Sequence, residues 1–290
     1  YSKNVQIQPV VYKKKYECYI CHNGQINLTD TVKQYCNTHN ISMDNCFTDS
    51  ILFTRIFCYN LEMLPELSKQ AVCKVIEHIC SFLDGAFSII CIIKDFGFIC
   101  FKDNNGIRPL SYGYKNNTLL VSSESVALSS QNYEHIKELY PDEILISVFK
   151  EHSVSIYKKL SKCIITPCIF EWIYLARAES IIYDVPVYNI RITMGELLAK
   201  KIKIQLPNWQ EYDYIIPVPD TSRPYALSIS HILQIPYIEA LIKNRYIYRT
   251  FIMDSQQKRK SNLKRKLNVI PSIINHKNII IVDDSIVRGN

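Results

Sequence analysis

The stretch Asn278-Ile-Ile-Ile-Val-Asp-Asp-Ser-Ile-Val-Arg-Gly-Asn290 carries the reading on which the fold turns. Its apolar run, Ile279 to Val282, is short and β-branched, as expected of a strand buried in a parallel sheet. It stops at two adjacent carboxylates, Asp283 and Asp284, and a turn of Ser285, Ile286, Val287, Arg288 and Gly289 follows. In open α/β sheets, ligands bind at the carboxyl ends of parallel strands. Paired acids there suit the two hydroxyls of a ribose and a nearby divalent cation. Ser285 and the backbone N–H groups of the turn suit a phosphate. For a lone Asp-Asp the plainer alternative is an acidic pair capping the next helix.

Working back from this turn, Tyr214-Ile-Ile-Pro-Val-Pro219 reads as a second strand, and Asp220-Thr-Ser-Arg-Pro224 as the loop that leads into a helix from about Tyr225 to Leu233. Ile235–Ile238 reads as a short strand. Val187–Leu206 reads as a helix with apolar Ile190, Met194, Leu197 and Leu198. Strands alternating with helices imply a parallel sheet, so loops 220–224 and 283–289 are expected at the carboxyl ends of neighbouring strands. Ser222, Asp283 and Asp284 then offer the hard oxygen ligands that Mg2+ takes; alone, Asp220-Thr-Ser is an ordinary helix N-cap. Between the loops in sequence, Lys243, Arg245, Arg249 and the cations of 258–266 stand against one acid, Asp254, with Tyr246, Tyr248 and Phe251 interleaved. Such a segment can be a nucleic-acid patch, a solvated loop, or a lid that closes over a polyanion and excludes water. Its place between two phosphate loops favours the lid.

The first half has a different grammar. Tyr16–His22 reads as a strand ending at the tight-turn pair Asn23-Gly24. Asp49 caps, or sits in the first turn of, a helix from Ser50 to about Cys58, and Ser68–Phe82 has helical apolar spacing. Ala86–Ile93, Phe96–Phe101, Thr118–Ser122 and Glu143–Val148 read as a four-stranded meander, with the turn Asp103-Asn-Asn-Gly-Ile-Arg-Pro-Leu110 between its second and third strands. The change of grammar places a domain boundary near residue 162, giving domains 1–162 and 163–290.

Composition fits this picture. The chain of 290 residues is 48% hydrophobic and 21% charged, the profile of a globular protein with room for two cores. A net charge of +7 agrees with a polyphosphate substrate, and equally with mere solubility. The eleven cysteines are odd in number and unevenly spaced, which argues against a disulfide scaffold and for a reducing cytoplasm. Cys18 and Cys21 form an isolated C-x-x-C, which strand alternation would put on opposite faces as thiols rather than zinc ligands. No apolar run approaches a membrane span: Phe87–Phe101 is broken by Lys94 and Asp95.

The string VDDSIVRG at 282–289 resembles the phosphoribosyl-pyrophosphate (PRPP) signature of type I phosphoribosyltransferases. Together with Lys243-Asn-Arg-Tyr-Ile-Tyr-Arg-Thr-Phe251 and KRKLN at 264–268, it resembles the amidophosphoribosyltransferase family. Cys168-Ile-Phe-Glu-Trp-Ile-Tyr-Leu-Ala-Arg177 is similar to the opening of that family's transferase domain. His22-Asn-Gly24, Asn105–Leu110 and Ser122–Leu128 are similar to its glutaminase domain.

The resemblance implies an α+β N-terminal-nucleophile glutaminase domain followed by an α/β type I phosphoribosyltransferase domain. The first frees ammonia from glutamine. The second uses it to displace pyrophosphate from PRPP, giving 5-phosphoribosylamine, the committed step of purine biosynthesis. It also implies Mg2+, purine nucleotide inhibitors and a homo-oligomer, with no nucleic-acid or membrane partner. Residue by residue, Asn23 and Gly24 match the oxyanion hole and Asp49 the carboxylate that receives the glutamine α-ammonium. Asp283 and Asp284 match the ribose and metal carboxylates, Ser285 to Gly289 the 5-phosphate loop, and Lys243, Arg245 and Arg249 the closing loop.

The chain departs from the family pattern in places. The family's N-terminal cysteine nucleophile has no counterpart here: position 1 is tyrosine, and none of the cysteines is N-terminal. The expectation is an internal fragment, lacking glutaminase activity as it stands. Ala178-Glu179 replaces a proline-aspartate, Lys102-Asp-Asn an arginine-aspartate-proline, and Tyr248 a glycine. Cys168 reads as a core cysteine rather than an iron–sulfur ligand. Two other functions share parts of the pattern: a PRPP-sensing regulator that binds nucleic acid through 243–266, and a salvage phosphoribosyltransferase using a free base.

Overall fold

The computed structural model describes residues 7–44, 46, 48–151, 153–160, 163–244 and 267–286. The chain divides into two compact units, Tyr1–Cys168 and Ile169–Asn290. The division falls past residue 162 because the intervening segment is tied to the first unit. Ile164, Thr166 and Cys168 donate their N–H groups to the carbonyls of Asn104, Asn105 and Ile107.

In the first unit, strands β1 (Val10–Lys13), β2 (Glu17–Ile26), β3 (Gly85–Ile93), β4 (Gly97–Lys102), β5 (Ser111–Lys115), β6 (Thr118–Ser122), β7 (Glu134–Glu138), β8 (Glu143–Val148) and β9 (Ser153–Lys158) make two antiparallel sheets. The larger has the order β1-β2-β3-β4-β8-β9 and the smaller β6-β5-β7. The four-stranded meander is therefore corrected. Thr118–Ser122 leaves the large sheet to pair with Ser111–Lys115, a strand of two tyrosines, glycine, serine and lysine that has little apolar signature. Helices α1 (Asp30–Thr38), α2 (Asp49–Glu62) and α3 (Lys69–Phe82) fall between β2 and β3, and a short α4 (Ser125–Ser129) follows β6.

The period-2 alternation of the central strands sorts side chains onto two faces. Phe87, Ile89, Cys91, Ile99, Phe101, Ile144 and Ile146 share a core with Phe53, Ile56 and Phe57 of α2 and Val72, Ile76 and Ile79 of α3. The opposite face, with Cys100 and Leu145, packs on Leu110, Tyr112 and Leu139 beside the small sheet. The unit is thus a layer of helices, a large sheet and a small sheet. One ion pair lies inside it: Lys102 Nζ, fully buried, donates to Glu138 Oε1 at 2.6 Å. The alternation also separates Cys18, buried, from Cys21, half-buried, and all eleven cysteines are free thiols.

The second unit begins with a single wide helical turn, Glu171–Leu175, and a two-residue hairpin, β10 (Ile181–Ile182) with β11 (Val185–Pro186). Helix α5 (Val187–Gln205) packs closely on α6 (Arg223–Leu233), where Gly195 lies against Tyr225 and Ser228. Between them runs β12 (Tyr214–Pro217). It pairs in parallel with β15 (Ile279–Val282), Tyr214 opposite Ile279 and Pro217 opposite Val282. Ile235–Ile238, expected as a strand, contributes only a parallel bridge between Tyr237 and Ile215. A second pair, β13 (Leu241–Lys243) with β14 (Leu267–Val269), is antiparallel. Ile215, Tyr225, Ile229, Leu233, Ala199 and Val282 form the core. Among the described residues, no helix is long and apolar enough to cross a membrane.

Candidate active sites

In the first unit Asn23 and Gly24 do not end the strand in a turn, as their identity suggests. β2 continues to Ile26, and Gly24 pairs with Phe87 of β3. Gly24 has φ +142°, and a Cβ there would lie 1.8 Å from the Ala86 carbonyl oxygen. Glycine is required because the neighbouring backbone fills the space, a second use of the residue besides turning a chain. Asn23 Nδ2 donates to Ser123 Oγ at 3.1 Å. The hydroxyl of the Ser122–Leu128 motif thereby orients the amide, a role its sequence position does not reveal.

Asp49 opens α2, behind an extended Thr48 N-cap. Its Oδ2 accepts from Ile26 N at 2.8 Å and its Oδ1 from Ser50 N at 2.9 Å, which fastens the helix start to the end of β2. The side chain remains 27% exposed, enough to receive a solute cation. Beneath it lies His22, only 7% exposed, with Nδ1 3.0 Å from Ser50 Oγ and 4.0 Å from Asp49 Oδ1. Burial pushes the His22 imidazole below its ordinary value; the Asp49 charge opposes this and that of Arg108 adds to it. The turn from Asp103 to Leu110 is held by the Asp103 carboxylate, which accepts from Phe87 N and Asn105 N, both at 2.9 Å.

In the second unit the parallel register sends the chain out of β12 and β15 at the same edge, and Val218 N donates to Val282 O at 2.8 Å just beyond it. The two expected loops therefore lie side by side. Thr221, on the first loop, is near enough to the Asp284 carboxylate to favour its charged form. Ser285 Oγ donates to Asp284 Oδ1 at 2.8 Å, and Asp284 N to Asp283 Oδ1 at 2.9 Å. Asp283 is exposed and Asp284 half-buried. Burial raises the Asp284 carboxyl above the usual range, and the neighbouring charge of Asp283 adds to this; Ser285, Arg191 and Thr221 act the other way.

Lys243 reaches the first loop, its Nζ 2.6 Å from Asp220 Oδ2, and Arg223 Nη1 lies 3.2 Å from Asp220 Oδ1. Ser222, expected as a cation ligand, is fully buried, and its hydroxyl donates to the Val218 carbonyl. Arg245, Arg249, Val287, Arg288 and Gly289 lie outside the described residues.

Arg191 escaped the sequence reading. It is 3% exposed and its guanidinium donates to the carbonyls of Trp172 and Ala176, both at 2.7 Å. Tyr225 Oη donates to the carbonyl of Ile173 at 3.1 Å. Helices α5 and α6 together thus hold the segment 172–176. An arginine in the middle of an amphipathic helix carries no sequence signal that it points inward.

A family profile described as a glutamine amidotransferase domain matches residues 2–130. The chain is similar to the amidophosphoribosyltransferase of Pasteurella multocida, with 35% identity over 98% of this chain and 57% of that protein. The Escherichia coli amidophosphoribosyltransferase is 33% identical over 99% of this chain and 58% of its own length. Among solved structures, the glutamine PRPP amidotransferase from B. subtilis complexed with ADP and GMP superposes with a TM-score of 0.80 at 27% identity. The match covers 98% of this chain and 59% of that one. The chain therefore spans somewhat over half the length of the relatives it matches.

Proposed function

We propose that the chain is a member of the amidophosphoribosyltransferase family and that its two units carry the two halves of one reaction: release of ammonia from glutamine, and displacement of pyrophosphate from PRPP by that ammonia to give 5-phosphoribosylamine. The observation that carries this reading is the parallel β12–β15 pair, whose two loops bring Thr221, Asp283, Asp284 and Ser285 to one edge. A phosphorylated sugar needs such an edge: acids for its ring hydroxyls, a hydroxyl and free N–H groups for its phosphate. On this reading the second unit is a type I phosphoribosyltransferase domain.

Asp283 and Asp284 fit a Mg2+. They are hard oxygen donors, their mutual charge is unfavourable without a cation, and two carboxylates leave room for water and substrate oxygens. When bound, the ion supplies neutralisation of the charge that grows on departing pyrophosphate. Ser285 would hold the 5-phosphate. Lys243, already at the first loop, would bring the 243–266 segment to the same edge, with Arg245 and Arg249 on it; the 5-phosphate turn would extend through Ile286, Val287, Arg288 and Gly289.

In the first unit, Asn23 Nδ2 and Gly24 N–H would stabilise the oxyanion formed when glutamine is attacked. Asp49 would receive the substrate α-ammonium. We extend the reading to purine nucleotide inhibition, in line with the ADP and GMP in the B. subtilis structure, to a homo-oligomeric assembly and to a cytoplasmic setting. The full-length protein, given PRPP and Mg2+, is expected to release pyrophosphate with either glutamine or ammonia as donor. Turnover with neither donor contradicts the reading, and turnover with a free nucleobase instead assigns a salvage enzyme.

A further inference from the structure

His22 is a buried titratable group of the first unit that the reaction above leaves unused. It lies on β2 next to the proposed oxyanion pair, and its ring touches the start of α2, where Asp49 sits. Its backbone is fixed as firmly as its ring. His22 N donates to Gln8 Oε1 at 2.6 Å and Gln8 Nε2 donates to His22 O at 2.9 Å, so the Gln8 amide completes the edge of the strand.

The ring has one polar partner on one side. Nδ1 meets Ser50 Oγ at 3.0 Å, while Nε2 is buried with no hydrogen-bond partner among the described residues. An imidazolium needs acceptors at both nitrogens, so this surrounding favours the neutral ring. The charged groups that face it are Asp49, on α2, and Arg108, on the loop after β4. Asp49 Oδ1 is 4.0 Å from Nδ1, close enough that a ring proton is felt directly by the carboxylate.

We propose that His22 is a positioning residue of the glutaminase half, whose uncharged ring keeps Asp49 available to the α-ammonium of the substrate. The inference rests on the role of Asp49 given above. With the ring neutral, the Asp49 carboxylate is held by Ile26 N and Ser50 N and keeps its full charge for a substrate cation. A second proton on the ring places a competing cation beneath the same carboxylate and repels the incoming ammonium. The consequence is a glutamine affinity that weakens in acid, with kcat for bound substrate affected much less.

The direction follows from the environment. Burial lowers the His22 imidazole below the ordinary histidine range, so the ring is neutral at pH 7 and charges only as the pH falls below that range. By linkage, a bound ammonium must lower it further.

The test is the pH profile of the glutamine KM in the full-length protein, measured between about pH 5 and 8, for the wild type and for His22→Asn. Asparagine keeps a polar atom near the Nδ1 position but cannot titrate. The wild-type KM is expected to climb in acid by up to about tenfold per pH unit, and that of the variant to stay flat. An acid limb of equal steepness in both proteins overturns the inference while leaving the glutaminase reading intact. Absence of glutamine turnover in the wild type at every pH, with ammonia turnover present, instead refutes the glutaminase reading on which the inference rests. Should the variant fail to fold, the ring resonances of His22 in the wild type decide the matter. Saturating glutamine is expected to move their titration midpoint to lower pH, and an unmoved midpoint overturns the inference.

Discussion

Gly24→Ala is expected to lower glutamine-dependent turnover of the full-length protein by at least about 10²-fold while ammonia-dependent turnover persists. The added methyl would sit 1.8 Å from the Ala86 carbonyl oxygen, 2.8 Å from its carbon and 2.9 Å from Phe87 Cα, all backbone atoms of the neighbouring strand. No rotamer change relieves such a contact, so β2 and β3 must part locally. The backbone at φ +142° adds its own penalty for any residue with a Cβ. The N–H proposed for the oxyanion moves with the strand, and a misplacement of about 1 Å is enough to remove most of its effect. Asp283, Asp284 and Ser285 belong to the other unit and keep their geometry. Comparison of the two donors separates the outcomes: equal loss with glutamine and ammonia contradicts the assignment of Gly24 to the glutaminase half.

Lys102→Met is expected to destabilise the first unit by about 3–5 kcal/mol, the typical cost of leaving a buried charge without its partner. Lys102 is fully buried and Glu138 is 9% exposed. The Glu138 carboxylate also accepts from Leu110 N at 2.9 Å and Ser111 Oγ at 3.0 Å, so it is bound into the junction of the two sheets and cannot turn toward water. Removing Glu138 as well, in Lys102→Met with Glu138→Leu, is expected to recover part of the loss because no lone charge then remains. Chemical denaturation of the single and double variants measures both terms. A single-variant loss below about 1 kcal/mol would show that Glu138 finds other compensation.

How much of this was legible in the sequence depends on where the physical signal resides. The run Ile279–Val282, ending on two carboxylates, located β15 and its loop, although only Val282 of the strand is buried and Ile281 is exposed, so the expected burial on both faces is corrected. Helix α2 was legible from Asp49 at its start, and α3 from the helical spacing of its buried residues. In the first unit β1, β5, β7 and β9 escaped, and in the second the short pairs β10–β11 and β13–β14: β7 is Glu134-His-Ile-Lys-Glu138, and β1 and β9 are edges of the large sheet. Edge and surface strands are specified by their partners more than by their own residues.

Asn23-Gly24 was misread as a turn because its composition is that of a hairpin loop. The alternation of buried Cys18, Ile20, His22 and Ile26 continues through it and would have kept the strand whole. Ser222 illustrates a different limit. A loop serine beside two carboxylates is a reasonable cation ligand by type, yet the first turn of α6 buries it and uses its hydroxyl on a carbonyl. The orienting contacts, Ser123 on Asn23 and Arg191 on the 172–176 carbonyls, join positions far apart in the chain, and residue type alone does not announce them.

The central claim is that the carboxylate pair after β15 grips a phosphorylated sugar. Calorimetric titration of the full-length protein with PRPP in the presence of Mg2+, repeated with Asp283→Ala and Asp284→Ala combined, addresses it directly. The expected result is saturable binding that weakens by about 10²-fold or more in the double variant, equivalent to roughly 3 kcal/mol. Unchanged affinity in that variant would contradict the account.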